Sequence, residues 1–182
     1  MGAHMIGNVR TWLVACALTV SSAAFAESVT ATVGPRHLVD INPLSLANGK
    51  LSLEYEGALS NSASIVVGPQ MILYRDPIAG SGPAVFGYGL SLGVHFFPGA
   101  EALHGFWLGP EVNGGYLGSG DKAGLYMQLN GILGYTFLPT DHFAISLGIG
   151  AGYRFTNVDF GSSTATYNGI GLTGRLALGY AW

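Results

Sequence analysis

The chain has 182 residues, enough for one domain, and only 9% of them are charged, against roughly 25% in soluble domains. Its formal net charge of −3 disfavours nucleic acid as a partner, because such a surface needs an excess of Lys and Arg. After the N-terminal segment no apolar run reaches the length of about 18 residues that would indicate a helix crossing a membrane. Low charge without such a run is typical of a membrane β-barrel, whose apolar residues occupy alternate positions.

Residues 1–26 read as a short vector remnant followed by a cleaved export signal. A positive charge precedes the apolar segment of residues 12–20, and an A-x-A sequence then predicts cleavage before Glu27. The alternative, a lipid anchor at Cys16, rests on a loose likeness to a lipobox. The mature chain is predicted to be one domain, residues 27–182, without a disulfide, because Cys16 is the only cysteine.

Seven later segments alternate large apolar residues with small or polar ones, the pattern of strands that present one face to an apolar medium. Each is long enough to cross a membrane when tilted. The last segment has the strictest alternation and ends on Trp182, which is typical of bacterial outer-membrane barrels. The predicted strands are residues 50–60, 63–74, 84–97, 105–117, 124–137, 143–155 and 167–182.

An eighth strand is predicted at residues 36–46, because bacterial barrels have even numbers of strands. Asn48 and Gly49 form a two-residue hairpin signal that would join it to the next strand. Its alternation is poor, and Pro43 suits only a strand end, an edge or a bulge. The predicted fold is all-β: an eight-stranded antiparallel up-and-down transmembrane β-barrel.

The charged residues test this assignment of faces. Five lie well inside the later strands, and all five fall on the inward phase: Glu54, Glu56, Glu111, Arg154 and Arg175. Placing Lys or Arg on the lipid face near the middle of the membrane would cost about 2–4 kcal/mol. The alternative, a soluble β-sandwich, would need polar outer faces where one phase of this chain is mostly glycine and alanine.

Outward aromatic residues are predicted to form two girdles at the membrane interfaces. The set near the periplasmic rim is Phe96, Phe106, Phe137, Phe143, Tyr180 and Trp182. The set near the outer rim is Phe86, Tyr88, Tyr116, Tyr153 and Phe155.

Several short motifs occur between residues 41 and 153. They are Asn-Pro-Leu at 42–44, Leu-Ser-Leu-Glu-Tyr-Glu at 51–56, Ala-Leu-Ser at 58–60, Gly-Phe-Trp-Leu-Gly-Pro-Glu at 105–111 and Leu-Gly-Ile-Gly-Ala-Gly-Tyr at 147–153. On these motifs the chain resembles a family of small Gram-negative outer-membrane β-barrels with no assigned function. The resemblance implies an eight-stranded barrel similar to the transmembrane domains of OmpA and OmpX, and it brings no catalytic residues.

The last eight residues resemble the signal that the barrel-assembly machinery reads during insertion. Arg175 is the first polar residue of that pattern, and Tyr180 and Trp182 are its aromatic positions. Ala177 stands where the signal has a glycine. The resemblance implies the assembly machinery as a partner during insertion.

Eight strands leave an interior just wide enough for side chains or one small ligand. Glu54 and Glu111 lie about six residues above their periplasmic turns, and Arg175 lies about seven. An inward carboxylate needs a partner, so we predict a buried network with Arg175 between Glu54 and Glu111 and with Glu56 close by. Arg154 and His95 are the other two predicted members of this lumen network, with His95 as a hydrogen-bonded lumen residue.

The inward phase of four strands is rich in glycine. These glycines would either admit bulky neighbours such as Tyr126 or leave a cavity for a small molecule. The Gly-x-Gly runs are not phosphate loops, because no predicted helix follows them.

The sequence offers no convincing catalytic site. Glu54 and Glu56 have a spacing that would permit acid–base chemistry, but a structural ion network explains them more simply. The histidines lack metal-ligand spacing, and no His-x-Ser pair occurs. No catalytic residue, metal or cofactor is predicted.

We therefore expect a non-enzymatic, structural or interaction barrel of the Gram-negative outer membrane, with both termini periplasmic. Its expected partners are outer-membrane lipids, the assembly machinery and an unidentified extracellular or envelope partner. The first alternative is a barrel that binds a small ligand or lipid in its upper lumen. The second is a lipid-modifying outer-membrane enzyme.

Overall fold

In a computed structural model of the protein, residues 34–46, 49–74, 85–119, 122–159 and 164–182 are described. Eight antiparallel strands form a closed barrel in which each strand pairs with its neighbours in the chain and the first pairs with the last. The elements are β1 His37–Ile41, α1 Pro43–Leu46, β2 Lys50–Ala58, β3 Ala63–Tyr74, β4 Val85–Phe96, β5 Gly105–Ser119, β6 Lys122–Phe137, β7 Phe143–Asp159 and β8 Thr164–Ala181. The predicted eight-stranded up-and-down barrel is confirmed. The predicted leader lies outside the described residues.

Strands β2 to β8 lie where alternation predicted them, and β3 has the predicted bounds. The largest differences are at the end of the barrel opposite Trp182, where β7 continues to Asp159 and β8 begins at Thr164. Alternation ends where the apolar face ends, whereas backbone pairing continues to the pair Asp159 and Thr164. The strands are therefore longer than their apolar faces.

The prediction for the first strand is wrong beyond Ile41. Residues predicted to be extended form the helical turn α1, with Pro43 at its first position, where a missing N–H costs nothing. Asn42 caps this turn: the Ser45 N–H donates to Asn42 Oδ1 at 3.2 Å. The connection to β2 is thus longer than a two-residue hairpin, although Gly49 does adopt a left-handed backbone with φ 69°. Asn48 lies outside the described residues.

The two faces of the barrel wall have opposite character. Large apolar side chains are exposed on the outer phase of every strand, for example Leu133, Ile149 and Leu172. The inner phase holds most of the buried polar residues, among them Glu54 and Arg175. A water-soluble protein buries its apolar groups and exposes its charges, so this distribution is inverted. Among the described residues, no helix has the length and apolar character needed to cross a membrane.

The inward glycines make room for two large aromatic side chains. A Cβ on Gly134 would lie 2.4 Å from Trp107 Cζ2, and one on Gly89 would lie 2.6 Å from the Tyr126 hydroxyl. Trp107 is fully buried and Tyr126 nearly so. At these positions the structure supports the first explanation for the glycines, that they make room for bulky neighbours.

Gly134→Ala is expected to destabilise the barrel by about 1–3 kcal/mol, because the added methyl group would overlap the Trp107 ring and the Leu147 carbonyl oxygen. Gly131→Ala is the matched control: a Cβ there meets nothing within 4 Å, and it lies three residues away on the same strand. Urea unfolding of the refolded barrel in detergent micelles measures both variants. Equal unfolding midpoints would contradict the steric explanation.

Candidate functional site

Arg175 lies at the centre of the described lumen. Its side chain is buried on the inward phase of β8, and Nη1 donates a hydrogen bond to Glu54 Oε2 on β2. Nη2 donates to Asp40 Oδ2 on β1 at 3.2 Å. Nη1 also lies 3.6 Å from Glu111 Oε1 on β5. One guanidinium group therefore connects carboxylates on three other strands.

His95 on β4 forms the second centre. Its Nδ1 lies 2.9 Å from Glu56 Oε1, and its Nε2 lies 3.4 Å from Glu111 Oε1. The Ser64 hydroxyl on β3 donates to Glu56 Oε1 as well. The imidazole ring stacks on Trp107, with centroids 4.0 Å apart. Glu111 is shared by the two centres, so the network spans β1 to β5 and β8.

The structure brings five of the six residues predicted for this network together: Glu54, Glu56, His95, Glu111 and Arg175. Arg154 does not join them, and its side chain is exposed. Alternation predicts whether a side chain points into the lumen or outward, but it does not predict the height of the residue along the barrel axis. On β7, Arg154 is six residues from Gly148, which pairs with Arg175, and six residues correspond to about 20 Å along a strand.

Sequence reasoning missed two buried members of the network. Asp40 is on β1, where the poor alternation hid its phase, although it lies two residues from the inward Leu38. Trp107 lies between the outward Phe106 and Leu108, so the alternation of β5 does assign it to the lumen. Alternation does not show, however, that Trp107 stacks on His95.

Polar amides form a layer between the network and the end of the barrel opposite Trp182. The Tyr126 hydroxyl donates to Gln70 Oε1 at 2.9 Å, and Gln128 Nε2 donates to Asn130 Oδ1 at 2.8 Å. Lys50 Nζ donates to Gln128 Oε1 at 3.1 Å. A cavity of about 90 Å³ lies here, and its lining includes these amides, Lys50 and Arg154.

Apolar side chains fill the lumen on the other side of the network. Phe97 and Leu103, from the connection between β4 and β5, are buried together with Trp107 and Leu38. Leu103 has φ 69°, a left-handed conformation that is costly for leucine and persists only where surrounding contacts impose it. The connection therefore folds into the barrel end rather than away from it.

The network contains four carboxyl groups, one guanidinium and one imidazole, and three of its buried polar atoms lack a protein partner among the described residues: Asp40 Oδ1, Arg175 Nε and Trp107 Nε1. No cluster of metal-ligating side chains is found in the described part of the chain. Because each charged group is held by groups on other strands, the arrangement can join the strands across the lumen.

The aromatic residues predicted for the periplasmic interface lie at the barrel end that carries the C-terminus. Phe106, Phe137, Phe143, Tyr180 and Trp182 are exposed, and Phe96 is partly buried. Tyr180 and Trp182 stack on His142 and His37, with centroids 5.3 and 5.5 Å apart. Their role at a membrane interface stays a prediction.

Comparison of the chain with protein-family models, with curated proteins and with solved structures finds no match. The proposed function therefore depends on the geometry of the barrel and its lumen.

Arg175→Met is expected to lower the free energy of unfolding by about 3–5 kcal/mol, because it leaves buried carboxylates without their shared cation. Arg154→Met removes the same charge from an exposed position and should change stability by under about 0.5 kcal/mol. Urea unfolding in micelles measures both. A double-mutant cycle with Glu54→Gln isolates the direct pair; similar losses for Arg175→Met and Arg154→Met would contradict the central role of Arg175.

Proposed function

We propose that this protein is a non-enzymatic β-barrel of the Gram-negative outer membrane, with a structural or interaction role and with a lumen held closed by the Arg175–His95 network. The observation that carries the proposal is the inverted wall, apolar outside and polar inside on all eight strands. A membrane-spanning β-structure must be closed, because hydrocarbon offers no partner for a free strand edge.

The outer surface supports a lipid environment. Soluble monomers rarely expose contiguous apolar patches beyond a few hundred Å². Here the exposed apolar side chains follow one another around the whole barrel, from Leu51 on β2 through Leu133 on β6 to Leu178 on β8. Strands of twelve to eighteen residues in β3–β8 are long enough to cross an apolar band about 25 Å tall, and the nine residues of β2 are at the lower limit for a membrane strand.

The proposed orientation depends on the C-terminal strand rather than on the lengths of the connections. At the end that carries the C-terminus, the described connections are short: residues 59–62, 97–104 and 138–142. At the opposite end only residues 120–121 separate β5 from β6 and residues 160–163 separate β7 from β8, so connection length does not distinguish the two ends. We place both ends of the mature chain on the periplasmic side because the end of β8 resembles the signal that the barrel-assembly machinery reads.

Partner contacts would then be made at the other end, where loops were predicted at 75–83, 118–123 and 156–166. The first lies outside the described residues, whereas most of the other two belongs to β5, β6, β7 and β8, so those predicted loops are too long.

The lumen supports a closed, structural role. The charged side chains of the network bind one another across the barrel, and the apolar layer of Phe97, Leu103 and Trp107 lies beside them. The cavity beside Lys50 has about 90 Å³, whereas pockets for small organic ligands have about 300–1,000 Å³. A small organic ligand enclosed wholly within this cavity is therefore disfavoured on size.

Leu133→Arg is expected to reduce folding into phospholipid vesicles and to cost about 2–4 kcal/mol, because the outward side chain of Leu133 would place a charge near mid-membrane. Leu59→Arg makes the same change in the exposed turn after β2 and should cost about 0–1 kcal/mol. The measurement is the folded fraction against urea in vesicles, with sedimentation of each variant in the outer-membrane fraction of cells. Equal costs would contradict a membrane-embedded wall.

In planar bilayers the folded protein is expected to give no stable large conductance, because the network and the apolar layer fill the lumen. Trp107→Ala removes the largest fully buried side chain and should increase brief openings. The control is an unheated sample on a gel. If it migrates as folded protein, the absence of conductance is not caused by unfolded protein. A steady open channel in the wild type would overturn the closed-lumen proposal.

A further inference from the structure

The barrel wall is incomplete beside β8. This strand has 18 residues and β1 only five, so β1 pairs with β8 only between Leu38–Ala181 and Ile41–Leu178. The next β8 N–H, that of Leu176, donates to the Asn42 side chain at 3.4 Å. Further along β8, the described residues include no strand partner on this side. We call this opening the notch; it lies between Leu172, Thr173 and Gly174 on β8 and Asn42, Ser45 and Lys50 opposite.

The lumen cavity reaches this notch. The notch residues on both sides belong to the lining of the cavity of about 90 Å³, together with Gln128, Asn130 and Arg154. Gly171 is on the inward phase of β8 but is exposed, and a Cβ there would meet nothing within 4 Å. There is therefore unfilled space beside Gly171, next to the lining residues Leu172 and Thr173, whereas Leu44 of α1 lies against Gly174.

Backbone donors of β8 point into the notch. N–H groups of alternate residues in a strand point to the same side. Because the N–H of Leu176 points to Asn42, those of Gly174 and Leu172 point the same way, where the described chain has no strand. In a membrane such donors need a partner, since hydrocarbon supplies none.

Two cationic side chains line the same cavity. Lys50 Nζ donates to Gln128 and lies 5.5 Å from the centre of the Tyr126 ring, and Arg154 is exposed at the barrel end. Glu54 and Glu111 also line the cavity, together with Arg175. In the described part of the chain the ion pairs of these carboxylates involve Arg175 and His95, which leaves Lys50 and Arg154 as the cations outside the network. Cations beside amide and backbone N–H donors suit an anion with several oxygen acceptors, such as a phosphate group.

The notch lies at the height of lipid head groups if the barrel spans a membrane as proposed. Leu172 is ten residues from Trp182 along the last strand. A strand tilted by about 40° rises roughly 2.5 Å per residue along the barrel axis, so Leu172 is about 25 Å above the periplasmic end. That distance equals the usual height of the apolar band, about 25 Å.

We propose that the notch binds the head group of an anionic, phosphate-bearing lipid of the outer leaflet, with Lys50 and Arg154 as its cationic contacts. The head group enters from the side, and its acyl chains remain outside and extend from Leu172, which is 88% exposed, toward mid-membrane. The size of the cavity suits a phosphate group. The inference rests on the proposed membrane location.

The test uses native mass spectrometry of the full mature barrel, refolded in vesicles of mixed phosphatidic acid and phosphatidylcholine and then extracted in mild detergent. We expect one phosphatidic acid to be retained in preference to phosphatidylcholine. The double variant Lys50→Gln/Arg154→Gln should reduce that preference at least about tenfold, the loss expected for a charge-assisted hydrogen bond. Arg36→Gln, near the C-terminal end of the barrel, removes a charge away from the notch and should have no effect.

A second pair of variants tests the notch itself without removing charge. Gly171→Leu should block the opening and reduce retention of phosphatidic acid, because there is open space at that Cβ. Gly131→Leu adds the same side chain at an equally open position on the outer phase of β6 and should leave retention unchanged.

The outcomes separate the two proposals. Failure of the wild type to enter vesicles as a folded, trypsin-protected species would overturn the proposed function. A folded, inserted barrel that retains both lipids equally, or whose Gly171→Leu variant behaves like Gly131→Leu, would overturn only the lipid site. Displacement of phosphatidic acid by millimolar inorganic phosphate would assign the cavity to the free anion and overturn the lipid as its ligand.

Discussion

The ion pairs of Arg175 act at the weakest junction of the barrel. Strands β1 and β8 share four residue pairs, fewer than any other neighbouring strands in the barrel. The guanidinium of β8 reaches across that junction to Asp40 on β1 and Glu54 on β2. A buried ion pair is weak support for stability in general, but breaking one leaves a charge without a partner. Loss of Arg175 would therefore destabilise the junction of β1 and β8, where backbone pairing is least able to compensate.

The short first strand also explains the opening in the wall. Pro43 and the Asn42 cap turn the chain into a helical turn after Ile41, so β8 continues without a partner strand on that side among the described residues. The early end of β1 thus explains both why the contacts of Arg175 matter at this junction and why the notch lies beside Leu172. In the proposed membrane setting, a lipid head group would satisfy the donors that β1 leaves free.

Much of the site could be predicted, and the failures have physical causes. Strands β2 to β8 were predictable because each has one apolar face long enough to show a period of two. Glu54, Glu111 and Arg175 could be placed together because each lies at a similar distance from a turn. Asp40 was missed because five residues of β1 are too few to establish a phase, and Arg154 was misplaced because alternation carries no information on height.

The sequence by itself determined the class of fold, the direction of each side chain in the long strands and the inward position of the charges. Side-chain direction follows from the extended backbone alone, so it is local information. Only the tertiary structure decided which inward residues meet, where β1 ends and how Trp107 fits against His95 and Gly134. These depend on the register between strands distant in sequence, and on competition between a helical cap and a strand, which no single segment specifies.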